Sequence, residues 1–154
     1  MQVPSERDRI RMTEAEATAF LAAQRKVHVA TLNRDGTPHL VPMYFLLLDG
    51  MVTFWTYTRS QKIVNLRRDP RITVMAEDGD AYFDLRGVQV AGRARLTVDP
   101  AEVAAFGELL HARYFGPLDD GSRAYVARAA AKRTRVTVEP VRVVSWDHRR
   151  LAAG

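Results

Sequence analysis

Three Asp-Gly pairs, Asp35-Gly36, Asp49-Gly50 and Asp78-Gly79, punctuate the middle of this chain. Each lies between apolar runs rich in β-branched and aromatic residues, and Asp-Gly is a strong signal for reversal between antiparallel strands. The runs predict six strands: Val27–Leu32, His39–Leu48, Met51–Tyr57, Ile72–Ala76, about Tyr82–Thr97, and Arg135–Trp146. Pro42 cannot donate to a ladder, so its strand belongs at an edge or a bulge near Pro38 and Pro42. Gly87 and Gly92 interrupt the longest strand, where a barrel could bend to close.

Helices fill the gaps. Thr13-Glu14-Ala15-Glu16 reads as a capping box, followed by Ala17, Phe20, Leu21 and Ala23 at helical spacing, so a first helix should run to about Arg25. Pro100 opens another through Val103, Phe106 and Leu110, and a short one lies around Arg123–Ala131. The fold class expected is mainly β (α+β), a six-stranded antiparallel barrel with flanking helices. Residues 12–150 should form one domain, with 1–11 a flexible N-terminal segment.

Composition removes several functions. There is no Cys among 154 residues, which excludes disulfides, thiol nucleophiles and thiolate metal sites. The histidines, His28, His39, His111 and His148, lack ligand spacing, so no metal is expected. No Rossmann or Walker glycine pattern and no nucleophile elbow occurs. The net charge is +5, with basic residues scattered among 18 acids; this suits small anions better than nucleic acid. The charged start has no apolar core of a signal peptide, and no run is long enough to span a bilayer. A cytoplasmic protein is expected, with no membrane or nucleic-acid partner.

One stretch carries chemistry. Thr56-Tyr57-Thr58-Arg59-Ser60-Gln61-Lys62-Ile63-Val64-Asn65-Leu66-Arg67-Arg68-Asp69-Pro70 predicts a strand end, a turn and a helix of about two turns stopped by Pro70. Two cations, Arg59 and Lys62, and the hydroxyls of Thr58 and Ser60 gather where helix N–H groups are unpaired, a natural cradle for a phosphate. Lys62 is slightly unfavourable there by itself and would be relieved by an anion. Asn65 reads as a polar face or a local hydrogen bonder, and Arg67 and Arg68 as solvated surface. Phe54 and Trp55 read first as barrel core and outer cover, with Trp55, Tyr57 or Phe45 the candidates to wall a flat ring.

Three motifs in order resemble the pyridoxamine-phosphate-oxidase-like split β-barrel flavoproteins. They are Val29-Ala30-Thr31-Leu32-x-x-Asp35-Gly36-x-Pro38-His39-x-Val41-Pro42, then Thr58-x-Ser60-x-Lys62-x-x-Asn65-Leu66-x-x-Asp69-Pro70-Arg71, then Gly87-Val88-x-Val90-x-Gly92-x-Ala94. The likeness covers about residues 13–98 well and is nearest to the branch that uses the deazaflavin F420. It implies a homodimer with cofactor sites at the subunit interface. The cofactor phosphate would sit on Thr58, Ser60 and Lys62, with Val41, Pro42, Trp55 and Thr56 approaching the ring. His39, Tyr57, Gln61 and Asn65 complete the implied cofactor set, and Tyr82, Arg86 and Trp146 of a second subunit would close the site. The activity implied is hydride transfer from reduced F420 to an electron-poor substrate such as a quinone, enone or tetrapyrrole. FMN is the alternative cofactor, and a non-catalytic flavin, F420 or haem carrier the alternative role. No catalytic side chain is assigned; Tyr57, His39 and Tyr82 are candidate proton donors.

Overall fold

A computed structural model of the chain describes residues 3–152. Met1 and Gln2 of the expected flexible segment lie outside the described residues. A one-turn helix, α1 (Glu6–Ile10), is capped by Ser5 and lies against a 3-10 turn near the other end of the chain, His148–Leu151. The helix α2 (Glu14–Ala23) starts at Thr13, whose hydroxyl accepts from the Glu16 N–H at 3.2 Å. Glu16 pairs with Arg150 rather than folding back onto the cap.

Seven strands form one antiparallel sheet: β1 (Lys26–Leu32), β2 (Pro38–Tyr44), β3 (Leu46–Leu48), β4 (Met51–Tyr57), β5 (Arg71–Asp78), β6 (Arg86–Thr97) and β7 (Arg133–Asp147). Their order is β2-β1-β5-β6-β7-β4-β3. The expected class holds, with seven strands in place of six. The run His39–Leu48 is two strands, because the chain breaks at Phe45. Phe45 is 1% exposed, and the Tyr114 hydroxyl lies 2.6 Å from its carbonyl oxygen and 3.4 Å from its N–H. Only Phe45 separates the two strands at opposite ends of the sheet order. The sheet must therefore curl until its edges meet, which makes a barrel split at that point. Pro42 sits on an edge strand, as its missing N–H requires.

The turn at Asp78-Gly79 is wider than a two-residue hairpin. Residues 79–85 bridge β5 and β6 through a 3-10 turn at Tyr82–Asp84, and Arg86 ties back to Asp78 at 2.8 Å. The long strand accordingly begins at Arg86 instead of Tyr82. A bulge falls at Ala91/Gly92, where a side chain on Gly92 would lie 2.1 Å from the Glu139 carbonyl oxygen.

Inside the barrel, Val27, Val29, Phe54, Val74, Val88, Val136 and Val138 are almost fully buried, and Phe20 and Leu21 of α2 pack onto the same core. Each such side chain contributes roughly 1.5–3 kcal/mol of transfer free energy. The helix α3 (Gln61–Arg68) adds Ile63 and Leu66 to this core. Asp69 ends α3 and takes a forked contact from Arg71, which holds the Asp69 carboxyl down at about 2. Two further helices, α4 (Pro100–Phe115) and α5 (Asp120–Ala130), pack against each other and against β7. Asp99 caps α4, with Pro100 at its first turn, and Asp119 and Ser122 form a capping box on α5.

Candidate functional site

The split in the sheet builds the site. β3 pairs with β4 only over Met51–Thr53, so β4 from Phe54 to Tyr57 has a strand neighbour, β7, on one side alone. β2 likewise pairs only with β1. These two strand edges open onto one cleft of about 320 Å³, lined by Pro42–Tyr44 from β2 and Trp55–Tyr57 from β4. Backbone N–H and C=O groups on such edges have no ladder partner and are available to a planar heteroaromatic molecule.

The α4–α5 pair forms the far wall, with Leu110, His111, Phe115, Tyr125 and Val126. Alternation along β4 points Val52, Phe54 and Thr56 inward and Trp55 and Tyr57 outward, toward this wall. Gly107 lets α4 approach: a Cβ there would lie 2.4 Å from Cζ3 of Trp55. Arg133 opens β7 in register with Tyr57. Its guanidinium carbon sits 4.4 Å from the Tyr57 ring centre and 4.9 Å from that of Trp55. Among the described residues, no carboxylate lines the cleft.

Beyond Tyr57 the chain turns into α3. Ser60 is the N-cap, yet its hydroxyl makes no cap bond and instead accepts from Thr56 Oγ1 at 3.4 Å. The Ser60 carbonyl takes the N–H groups of Ile63 and Val64. The N–H groups of Gln61 and Lys62 find no acceptor among the described residues. The Thr58 hydroxyl pairs with that of Thr134 at 2.9 Å. Lys62 is 9% exposed and has no carboxylate partner among the described residues, and the first turn of α3 holds no acid. Burial pushes its ammonium below the usual lysine value. A mostly buried lysine without an acidic partner, in the first turn of a helix whose first two N–H groups are free, is a poor arrangement by itself and a good one around an oxyanion. The residues present therefore fit a cofactor phosphate.

The sequence-predicted set divides in four. Pro42, Trp55, Thr56 and Tyr57 line the cleft; Thr58, Ser60, Gln61 and Lys62 surround the start of α3. His39 and Val41 lie on the inner side of β2, opposite Thr31 and Val29, and Nδ1 of His39 is buried without a partner. Asn65 is fully buried: its amide donates to Thr31 Oγ1 and Asn33 Oδ1, both at 3.0 Å, and its oxygen accepts from Gln61 and Arg68. It locks α3 to β1 and presents nothing to a ligand.

Of the residues expected from a second subunit, Arg86 is paired with Asp78, Trp146 packs on Gly87, and Tyr82 stacks near Phe83 and His148. None lines the cleft of its own chain. Arg133, His111 and Tyr125 were not legible as site residues. The one signal for Arg133 was its place two residues before a strand predicted, from Arg135, to lie in the same barrel as Trp55.

A model of the pyridoxamine 5'-phosphate oxidase family matches residues 13–147, and the chain belongs to this family. Among solved structures, a conserved hypothetical protein from Mycobacterium tuberculosis is 40% identical, with a TM-score of 0.89 over 97% of this chain and 93% of that one. A protein described as an F420 reductase is 26% identical, with a TM-score of 0.67 over 92% of this chain and 98% of that one. A FAD-binding protein from Mesorhizobium loti is 20% identical, with a TM-score of 0.64 over 87% of this chain and 94% of that one, a likeness of fold alone. No curated protein matches the chain. Family and fold are those of flavin- and deazaflavin-type oxidoreductases. Among the described residues, no helix is long and apolar enough to cross a membrane.

Proposed function

We propose that the protein is an F420-dependent reductase that passes a hydride from reduced F420 to an electron-poor organic substrate such as a quinone, enone or tetrapyrrole. The observation that carries this reading is Lys62, nearly buried and unpaired at the uncapped start of α3, where the split in the sheet ends. The likeness to an F420 reductase over nearly the full length of both chains supports the choice of cofactor.

When bound, the deazaflavin supplies the hydride; the protein supplies binding, orientation and exclusion of water. Lys62 and the N–H groups of Gln61 and Lys62 would hold the phosphate, with the Thr58 and Ser60 hydroxyls beside them. The free edges of β2 and β4, from Val41-Pro42 and Trp55-Thr56, would hydrogen-bond the ring. Trp55, Phe115 and Val126 keep the cleft apolar, and Tyr57 would give the proton.

The protein would work as a cytoplasmic homodimer. Leu40, Val141 and Val143 are 64%, 75% and 52% exposed, apolar side chains that a second copy would cover. Parallel titrations with F420 and FMN test the cofactor. Micromolar quenching of F420 fluorescence, with oxidation of reduced F420 by an enone, quinone or biliverdin, is expected. A bound flavin spectrum would instead favour FMN, and tight binding without turnover would make the protein a carrier. A concentration-independent monomer in light scattering would refute the dimer.

A further inference from the structure

Arg133 has no acidic partner among the described residues. Its guanidinium lies over Tyr57 and Trp55, and its only hydrogen bond among the described residues runs from Nη1 to the Ala129 carbonyl at 3.3 Å. Its place over two rings limits the orientations of the guanidinium, and its other N–H groups have no acceptor among the described residues. Among the described residues, the walls around it hold neutral polar groups and no carboxylate. The hydroxyls of Tyr57 and Tyr125 have no protein partner among the described residues, and Nδ1 of His111 is buried without one. Elsewhere the cleft is aromatic and aliphatic, with Trp55, Phe115 and Val126 shaping a slot for something flat.

We infer that this cleft takes a planar conjugated carboxylic acid, with Arg133 gripping the carboxylate and the Trp55 face carrying the conjugated body. The inference deepens the reductase reading of the same site by naming its substrate class: an acid in preference to a neutral quinone. A preoriented fork matches a carboxylate through two parallel hydrogen bonds, and in an apolar cleft those bonds are strong. A neutral analogue of the same shape keeps the stacking and loses the charge-assisted pair. Arg133 is thus a specificity-determining residue.

The test uses trans-cinnamate and cinnamamide as probes, titrated into ¹⁵N-labelled protein and followed at the indole N–H of Trp55. Trp146 lies outside the cleft and is the internal control. Cinnamate should move the Trp55 signal, leave Trp146 in place and bind at least tenfold more tightly than the amide. Arg133→Gln should erase that difference while leaving amide binding; Arg133→Lys, which keeps the charge without the fork, should fall between them. Equal binding of acid and amide would overturn the inference, as would an acid preference that survives in Arg133→Gln, or a Trp55 signal that neither probe moves. The titration is repeated with F420 present. Displacement of the acid by F420 would also overturn it, since the carboxylate site would then belong to the cofactor. Acid binding in a protein that takes up neither F420 nor FMN would sink the reductase reading and leave the carboxylate site standing.

Discussion

Replacing Lys62 by Met should separate folding from binding, moving the two in opposite directions. In the protein without cofactor, the Lys62 side chain is mostly buried, has no carboxylate partner among the described residues and lies in the first turn of α3, close to its positive end. Removing a cation from that end relieves about 0.3–1 kcal/mol of dipole repulsion, and ending the desolvation of an unsatisfied charged group adds on the order of 1 kcal/mol. Met has a similar helix propensity and an unbranched stem that fills the same channel, so packing is kept. The variant should gain about 1–2 kcal/mol, a rise in Tm of about 2–8 °C for a chain of this size. Cofactor binding should lose a charge-assisted contact of about 1.5–3 kcal/mol, which is about 10- to 150-fold in Kd. The pH dependence carries the same signature. Burial lowers the folded-state pKa of Lys62 from 10.5, so its penalty is full below that lowered value. The penalty fades as pH rises toward the unfolded value, and the stability advantage of Met should shrink over that window. Cofactor affinity of the natural protein should fall over the same window, and that of the variant should not. Calorimetric melting and F420 titration from pH 7 to 10.5 read all of this. A Lys62→Met protein that melts lower and binds F420 unchanged would refute both the buried-cation argument and the phosphate assignment.

Gly107→Ala places a Cβ 2.4 Å from the Trp55 ring and 2.9 Å from Val126 Cγ1. The overpacking cost of about 1–3 kcal/mol should exceed the helix-propensity gain of about 1 kcal/mol, and the displaced indole should weaken ring binding, measured by melting and titration together. Asn65→Leu keeps the volume but strands Thr31, which is 2% exposed, so denaturant titration should show a loss of about 1–3 kcal/mol; unchanged stability with lost cofactor binding would make Asn65 a ligand contact instead. Asp147 is 4% exposed and held below its usual 3.8 by hydrogen bonds from the Arg149 side chain. Its folded-state pKa is depressed, so its stabilising contribution is present above 3.8 and fades as pH falls through the lower folded value. Asp147→Asn should flatten the acid limb of the stability curve there, read by melting from pH 5 to 2.

What the sequence could reveal depended on where each cause lies along the chain. The hairpin turns at Asp35-Gly36 and Asp49-Gly50, the inward Phe54 beside the outward Trp55, and the short helix before Pro70 arise from neighbouring residues and were readable. The break at Phe45 was not. The run from Met43 to Leu48 has no turn residue, and the hydroxyl beside it belongs to Tyr114, 69 positions away. Asn65 read as a polar face or a local hydrogen bonder because its partners, Thr31 of β1 and Asn33 just after it, lie more than 30 positions away. Arg133 was one basic residue among 23; only the register with Tyr57 and the absence of a facing acid set it apart.

These remote causes act on the same place. Tyr114 on α4 reaches the carbonyls of Phe45 and Arg25, both at 2.6 Å, and its single proton can serve only one at a time. Its neighbour Arg113 donates to the carbonyls of Ala22 and Gln24, where α2 ends. One turn and more earlier on α4, Gly107 receives Trp55. A single helix therefore contacts the point where the sheet splits, the end of the helix packed on the barrel core, and the ring that floors the cleft. Were β2 and β3 one continuous strand, β2 could run on beside β4, and the edges of Val41-Pro42 and Trp55-Thr56 would be spent on each other. Holding the break open with a helix from late in the chain keeps those backbone groups unpaired, while the core below stays closed by Phe54, Ile63 and Val136. Stability is thus concentrated in the barrel and polar opportunity at its seam, which is why a site can form here without a conspicuous catalytic motif in the sequence.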